Sequence, residues 1–336
     1  MTDLETDLTK CTLCEHKCKV NRLAGEAGVC RIGIPIVASR TLHRAPPESY
    51  TIFTAGCNFK CLNCQNWSIS QFPDNRMAVD GYVDAETLAR ECIHKLDSYT
   101  ARMMGADRIF FSGGEPTIHL PFIERVVAEA RKLKPACKVN FDTNGFMTQE
   151  SLERVLAFTT SITFDIKAFY DETHRAITGA PVEPVLRNAR IVAEEAKDRL
   201  WEFRITVIPQ VNEEDIGPLC HFLAEISPDP SVCFLAFRPN YIMEEHPGAT
   251  MELMQRCVDF AKEAGLRNVT WSGVTDLPGT TCSLRPEVEK TYERSGARMA
   301  ASYALTSGCP THLRDCGACP CNNRCPVKAY IPKACY

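Results

Sequence analysis

Long apolar runs are missing from this chain: its best windows are broken by charge well short of the roughly 20 residues that a membrane-spanning helix requires, so no bilayer span is expected. A positive surplus is missing too. The 38 Lys and Arg against 42 Asp and Glu give a formal net charge of −4 with the signs interspersed, which offers no basic face to nucleic acid or an anionic membrane. The opening MTDLETDLTK has neither the basic nor the apolar region of a secretory signal. No internal repeat or low-complexity linker is visible. These absences predict a cytoplasmic protein with no membrane and no nucleic-acid partner.

Cysteine, by contrast, is abundant. There are 19, an odd number, and in a reducing compartment metal ligation explains them better than disulfides do. Four lie within residues 11–30, three within 57–64 and six within 309–335. The other six, Cys92, Cys137, Cys220, Cys233, Cys257 and Cys282, are mostly isolated among apolar neighbours and read as small buried hydrophobes.

With 336 residues, 45% of them hydrophobic, the chain can bury the core of one full-sized domain with appended modules. Between the terminal cysteine sets, β-rich runs alternate with amphipathic ones. Strands are expected over 49–55, 108–112, 138–142, 161–166, 202–208 and 232–237, and helices over 84–104, 121–134, 148–157, 182–199, 213–226 and 251–264. Repeated βα units predict a parallel sheet, open or closed as a barrel, with chemistry at the C-terminal ends of the strands.

In TAGCNFKCLNCQNW, Cys57, Cys61 and Cys64 have the spacing C-x3-C-x2-C just after the first expected strand. Three thiolates from so tight a loop can hold one [4Fe-4S] cube and leave its fourth iron open, as a reactive cluster requires. A structural zinc or ferredoxin-like site with a remote fourth cysteine is the alternative. The triplet resembles the signature of the radical S-adenosylmethionine (radical SAM) superfamily, in the subgroup of pyruvate formate-lyase activating enzymes.

The resemblance extends along the chain. The run Ser112-Gly113-Gly114-Glu115 is similar to the family's GGE element, which hydrogen-bonds the methionyl amino group of S-adenosylmethionine; paired glycines let backbone approach a ligand, and a carboxylate suits an ammonium. Asp142-Thr143-Asn144-Gly145 and Asp165-Ile166-Lys167 resemble the DTNG and D-x-K elements around the methionyl carboxylate. Lys167 suits a carboxylate, and Asp142 and Asp165 suit a cation. Arg204 matches an arginine that also reaches the carboxylate. One departure stands out, because the family places an aromatic residue before the third cysteine and here that residue is Asn63; Phe59 or Trp67 are the aromatic substitutes. The resemblance implies an α/β fold, a radical SAM partial (β/α)6 barrel, with cysteine-rich N- and C-terminal metal-binding extensions.

Cys11, Cys14, Cys18 and Cys30 form C-x2-C-x3-C-x11-C, able to close a zinc, a single iron or a four-iron site, with His16 between them able to replace a ligand but expected as an exposed neighbour. At the other end stand Cys309, Cys316, Cys319, Cys321, Cys325 and Cys335. An auxiliary iron–sulfur cluster on Cys316, Cys319, Cys321 and Cys325 is the first expectation, and a zinc knot the second. The division expected is 1–45 for the N-terminal four-cysteine module, 46–245 for the radical SAM core, and 246–336 for a C-terminal helix with the auxiliary-cluster or cobalamin-contacting segment.

The whole arrangement resembles the cobalamin-dependent glutamine C-methyltransferases that act on methyl-coenzyme M reductase. That implies cobalamin as a further cofactor, the methyl-coenzyme M reductase α subunit as protein substrate, and an electron donor such as ferredoxin or flavodoxin. The usual cobalamin fingerprint D-x-H-x-x-G is absent; Asp171-Glu172-Thr173-His174 does not match it. Tyr241, Tyr303, Tyr330 and Tyr336 are the candidate cobalt or substrate contacts, with packing the plainer role. Two other readings stand beside this one: a glycyl-radical-enzyme activase that needs no cobalamin, and a zinc-organised scaffold protein.

Overall fold

All six expected strands are present in the computed structural model, which describes residues 4–310, 313–321 and 324–333. Cys335 and Tyr336 lie outside the described residues. The chain forms two compact units, one running to Asn58 and resuming over Ser68–Thr163, the other made of Phe59–Trp67 and the chain from Phe164 onward.

In the first unit, strands β1 (Val37–His43), β2 (Ser49–Thr54), β3 (Arg108–Gly113) and β4 (Lys138–Thr143) lie side by side. β2, β3 and β4 are parallel, with Ser49 opposite Arg108 and Arg108 opposite Lys138. The all-parallel expectation is corrected by β1, which returns antiparallel along β2 with His43 opposite Ser49. Helices α1 (Ala85–Leu96), α2 (Leu120–Leu133) and α3 (Gln149–Phe158) belong to this unit. Their apolar faces, including Leu88, Ile123, Val126 and Val155, are buried, as are Ile52, Ile109, Phe111, Val139 and Phe141 of the strands. The single helix expected over 84–104 is two: α1 is capped by the Asp84 carboxylate, and a fresh cap at Ser98, accepting from the Ala101 amide at 3.2 Å, starts Tyr99–Met104.

Strand β5 (Ser161–Asp165) crosses the boundary between the units. In the second unit β6 (Leu200–Val207), β7 (Ser231–Ala236) and β8 (Asn268–Ser272) are parallel, with Phe203 opposite Val232 and Ser231 opposite Asn268. Helices α4 (Asp171–Thr178), α5 (Glu183–Glu195), α6 (Glu213–Ile226), α7 (Met251–Glu263) and α8 (Ser295–Thr306) complete the main elements. A core of Ala176, Ile177, Ile208, Val211, Phe237, Ala300 and Val327 joins α4, α8 and the C-terminal segment. No helix among the described residues is long and apolar enough to cross a membrane. Of the six isolated cysteines, Cys92, Cys137, Cys220, Cys233 and Cys257 are buried as expected, and Cys282 is half-buried against Met299.

Two buried histidines set a pH dependence. His119 is held at about 3, chiefly by burial with Arg22 adding to it, and His174 at about 4, again chiefly by burial. Both are neutral when folded and take up a proton when unfolded near pH 6.5. Their stabilisation is therefore full above that value and is lost as pH falls toward 4, by about 1.4 kcal/mol per pH unit for each histidine. Thermal melts between pH 7 and 5 check this, and His174→Gln is expected to flatten the slope.

Candidate active site

Parallel strands carry their C-terminal ends to one edge, and in the first unit that edge collects the sequence motifs. After β2 the chain runs through Gly56 to Cys57; after β3 it makes the Gly113-Gly114 turn; after β4 it makes Thr143-Asn144-Gly145. The turn lies directly on the cysteine loop, since the Glu115 amide donates to the Gly56 carbonyl at 3.0 Å and that of Gly114 to Thr54 at 2.8 Å. His119 braces the same loop, its Nε2–H donating to the Ala55 carbonyl at 2.8 Å.

Glu115 is only 1% exposed and its carboxylate is already engaged. It accepts from the Thr117 amide and hydroxyl, from the Thr143 hydroxyl at 2.8 Å and from the Asn144 amide at 2.8 Å. Burial lifts it above the usual carboxylate range, outweighing these hydrogen bonds, which work against that rise. Glu115 thus ties the ends of β3 and β4 together, while the Gly113-Gly114 backbone beside it is the part shaped for close approach. Ser112 donates to Asp142 at 2.6 Å, which fixes that carboxylate at the end of β4.

Asn144, which sequence reading passed over, reaches the first cysteine. Its amide nitrogen lies 3.8 Å from the Cys57 sulfur and donates to the Asn58 side-chain oxygen at 2.7 Å. His16 is half-buried rather than exposed: its Nε2–H donates to the Asn58 carbonyl at 2.9 Å, and its ring packs edge-on against Phe146 at 4.9 Å. The spacing of cysteines points to none of Asn58, Asn144 or His16; only the Asn inside a DTNG-like turn offered a signal.

The N-terminal set belongs to this unit. Cys14 bridges to Met147, and buried Arg22 donates to the Ile118 carbonyl at 2.7 Å while lying 3.9 Å from the Cys11 sulfur. The Val29 amide donates to the Cys18 sulfur at 3.5 Å. Burial pushes the Cys14 thiol well up, and the Cys30, Cys18 and Cys11 thiols add to that rise.

In the second unit, Lys167 and Asp165 form an ion pair at 2.9 Å just beyond β5. Burial opposes the Lys167 charge, but Asp165 and the thiols of Cys61 and Cys64 outweigh it and hold the ammonium above its usual range. Burial pushes Cys61 up to about 12, with Lys167 and Arg314 pulling the other way. Arg204 pairs with Glu202 at 2.5 Å within β6. Phe59 is core, edge-on to His174, whereas Trp67 is half-buried and stacks on Tyr241 with centroids 5.8 Å apart. The Asn63 side-chain oxygen is buried with no hydrogen-bond partner among the described residues. A cleft of about 280 Å³ opens after the third cysteine, lined by Gln65, Trp67, Arg238, Asn240, Tyr241 and Glu244 among others. Of the other candidate tyrosines among the described residues, Tyr303 hydrogen-bonds His246 at 3.0 Å and Tyr330 donates to Glu244 at 2.8 Å.

Among the described residues no three Cys, His, Asp or Glu side chains stand in a metal-holding arrangement. The cysteine-rich extensions expected at both ends therefore show no metal-holding arrangement among the described residues. The donor set at the central triplet nevertheless suits an iron–sulfur group: three thiols lie in one loop, Cys57 meets an amide N–H, and the half-buried Lys167 ammonium pulls the Cys61 thiol down against the larger effect of burial.

Comparison with known proteins places these features. An uncharacterised protein of Methanocaldococcus jannaschii is 25% identical over 330 residues, covering 90% of each chain. The pyruvate formate-lyase-activating enzyme of Staphylococcus aureus is 29% identical over 178 residues, covering 50% of this chain and 65% of its own. A crystal structure of a domain of the Bacteroides vulgatus pyruvate-formate lyase-activating enzyme aligns with a TM-score of 0.40 at 22% identity, over 50% of this chain and 100% of that one. The sequence profile of the radical SAM superfamily matches residues 51–223, the stretch that carries the cysteine triplet, the Gly-Gly-Glu turn and the Asp165–Lys167 pair, and the chain belongs to that superfamily.

Proposed function

We propose that this chain is a radical SAM enzyme that abstracts a hydrogen atom from a protein or peptide segment, in the manner of a glycyl-radical-enzyme activase. The observation that carries the reading is the cleft beyond Cys64, which presents an aromatic wall, Trp67 on Tyr241, beside one cation and one anion, Arg238 and Glu244. A peptide offers matching apolar, backbone and charged groups. The likeness of half the chain to an activating enzyme supports the same class of substrate.

When bound, the reduced cluster would supply one electron to the sulfonium of S-adenosylmethionine, whose C5′–S bond would break to leave methionine and a 5′-deoxyadenosyl radical able to take hydrogen from carbon. The chain's own residues have narrower tasks. Cys57, Cys61 and Cys64 hold the cluster. By the family resemblance, the Gly113-Gly114 backbone would meet the methionyl ammonium, and Lys167, Arg204, Asp142 and Asp165 would serve the carboxylate and any cation beside it. The orphan oxygen of Asn63, in the position where the family has an aromatic, is an acceptor suited to the exocyclic amine of adenine. Position controls so reactive a radical, so the chain must exclude water and fix the target carbon.

The test uses the full chain, purified anaerobically and reduced in the presence of S-adenosylmethionine and a host-cell extract from deuterated medium, fractionated by size. Deuterium is expected in 5′-deoxyadenosine with the macromolecular fraction and not after protease treatment. Deuterium from the small-molecule fraction alone overturns the protein substrate. Cobalamin in the purified protein, with a methyl group gained on glutamine, replaces this reading with the narrower methyltransferase one. A colourless zinc protein forming no deoxyadenosine leaves only a scaffold.

A further inference from the structure

The turn after β4 carries a hydrogen-bond donor that the turn itself does not need. Asn144 is buried, and its side-chain oxygen accepts from the Phe146 amide at 3.0 Å, the contact that closes an Asx turn. Its own backbone amide is committed to Glu115 at 2.8 Å. Closing such a turn takes one acceptor, and serine or aspartate supplies that as asparagine does. What asparagine adds is an NH2 group, and because Phe146 fixes the oxygen on one side, that group must face the other. There it donates to the Asn58 side-chain oxygen at 2.7 Å and lies 3.8 Å from the Cys57 sulfur.

Asn58 is held as firmly. It is buried, its side-chain amide donates to the Phe146 carbonyl at 3.3 Å, and its own carbonyl accepts from His16, whose ring packs edge-on against Phe146. The Asn144 amide cannot turn away from Cys57 without losing its bonds to Phe146 and Asn58, so its N–H is held at the sulfur. A neutral thiol is a weak acceptor and gains little from such a donor; an anionic sulfur gains a charge-assisted bond.

We infer that Asn144 is a positioning residue that raises the reduction potential of the catalytic cluster by donating to the Cys57 sulfur, with Asn58 and His16 holding it there. The inference rests on the reading of Cys57 as a cluster ligand. Reduction adds one electron, and part of the added negative charge falls on the sulfurs. A fixed N–H donor therefore stabilises the reduced form more than the oxidised one, and its loss leaves a cluster that is harder to reduce. Because the donor is already oriented by Phe146 and Asn58, it acts without a cost of reorganisation.

The test reads a potential and needs no turnover. The full chain is reconstituted anaerobically with ferrous iron and sulfide and titrated with titanium(III) citrate. The signal followed by electron paramagnetic resonance is the one missing from a chain carrying Cys57→Ala, Cys61→Ala and Cys64→Ala. Asn144→Ser keeps an acceptor for the Phe146 amide but is too short to reach the sulfur. Asn144→Asp keeps both the acceptor and the length and replaces the donor with oxygen. Both are expected to retain iron and to shift the reduction equilibrium toward the oxidised form by about tenfold, which is about 59 mV for one electron, with the larger shift in Asn144→Asp, whose charge repels the sulfur. His16→Ala, which touches neither the sulfur nor the turn, is expected to shift it the same way by less. Potentials equal to wild type in the two Asn144 variants overturn the inference and leave the cluster in place, and a lowered melting temperature at unchanged potential does so too, since it assigns Asn144 to the turn alone. Should both Asn144 variants lose their iron, an unchanged potential in His16→Ala overturns the inference. A wild-type chain with no such signal overturns the cluster reading and this inference with it, and iron content tells that failure from the others.

Discussion

Replacing Gly114 with alanine is expected to abolish deoxyadenosine formation and to lower the melting temperature. The cause is contact between two pieces of backbone. A Cβ on residue 114 would stand 1.8 Å from the Gly56 carbonyl oxygen and 2.6 Å from its carbon, far inside any allowed separation. A flexible side chain can swing aside; a peptide group fixed by hydrogen bonds does not. Gly56 is held by its own amide, donating to Ile69 at 2.8 Å, and by the Glu115 amide on its carbonyl at 3.0 Å. The added methyl must therefore either break the pairing of β2 with β3, where Thr54 faces Gly113, or push Gly56 and with it Cys57. Overpacking of this kind costs about 1–3 kcal/mol or more. A displacement near 1 Å at a reacting group costs about 100-fold in rate even when folding survives. Circular dichroism, iron content and deoxyadenosine yield separate the two routes. A variant with wild-type iron and wild-type yield would show that the turn tolerates a side chain and that its glycine is incidental.

The parts of the molecule that were legible in sequence are those whose pattern is local. Strands β2, β3, β4, β6 and β7 have mostly or alternately buried residues, and their β-rich runs stand out between amphipathic helices. The elements that escaped lack such a pattern. β8 is the outer strand of its group and alternates only between exposed and half-buried, and β1 carries Ser39, Arg40 and Thr41 along its exposed stretch. α8 is buried almost all round, so its alanines and glycine give no polar face to set a period of 3.6. The site follows the same rule. Cysteine spacing and Gly-Gly-Glu are local and were read directly. Asn144 on Cys57 and His16 on Asn58 depend on chain segments meeting from afar. Arg314 does so most of all, since it bonds a carbonyl 254 residues away. Glu115 was read as a ligand for ammonium because a carboxylate suits one; that it is filled by Thr117, Thr143 and Asn144 depends on the turn after β4, which sequence does not place.

Alanine at Cys57, Cys61 or Cys64, one at a time, is expected to lower reductive deoxyadenosine production by more than about 1,000-fold, a loss of about 4 kcal/mol of barrier lowering. On the proposed reading each thiolate is one of three that would hold the cluster, and two would not retain it against loss of iron, so about four irons per chain should go with the activity. Folding should change little. Cys61 and Cys64 are half-exposed and Cys57 is 8% exposed, so removing one sulfur leaves a void of methyl size, worth about 1 kcal/mol. The isolated cysteines should behave in the opposite way. Cys92 and Cys220 are fully buried, with burial pushing both thiols up, and alanine at either should cost about 1 kcal/mol of stability while leaving deoxyadenosine yield and iron untouched. The contrast between these two groups is the informative quantity, because a general fragility of the chain would depress both alike. If the triplet variants kept their iron and their yield, the thiols that matter would have to be sought in the terminal sets, and the loop after β2 would lose its catalytic standing.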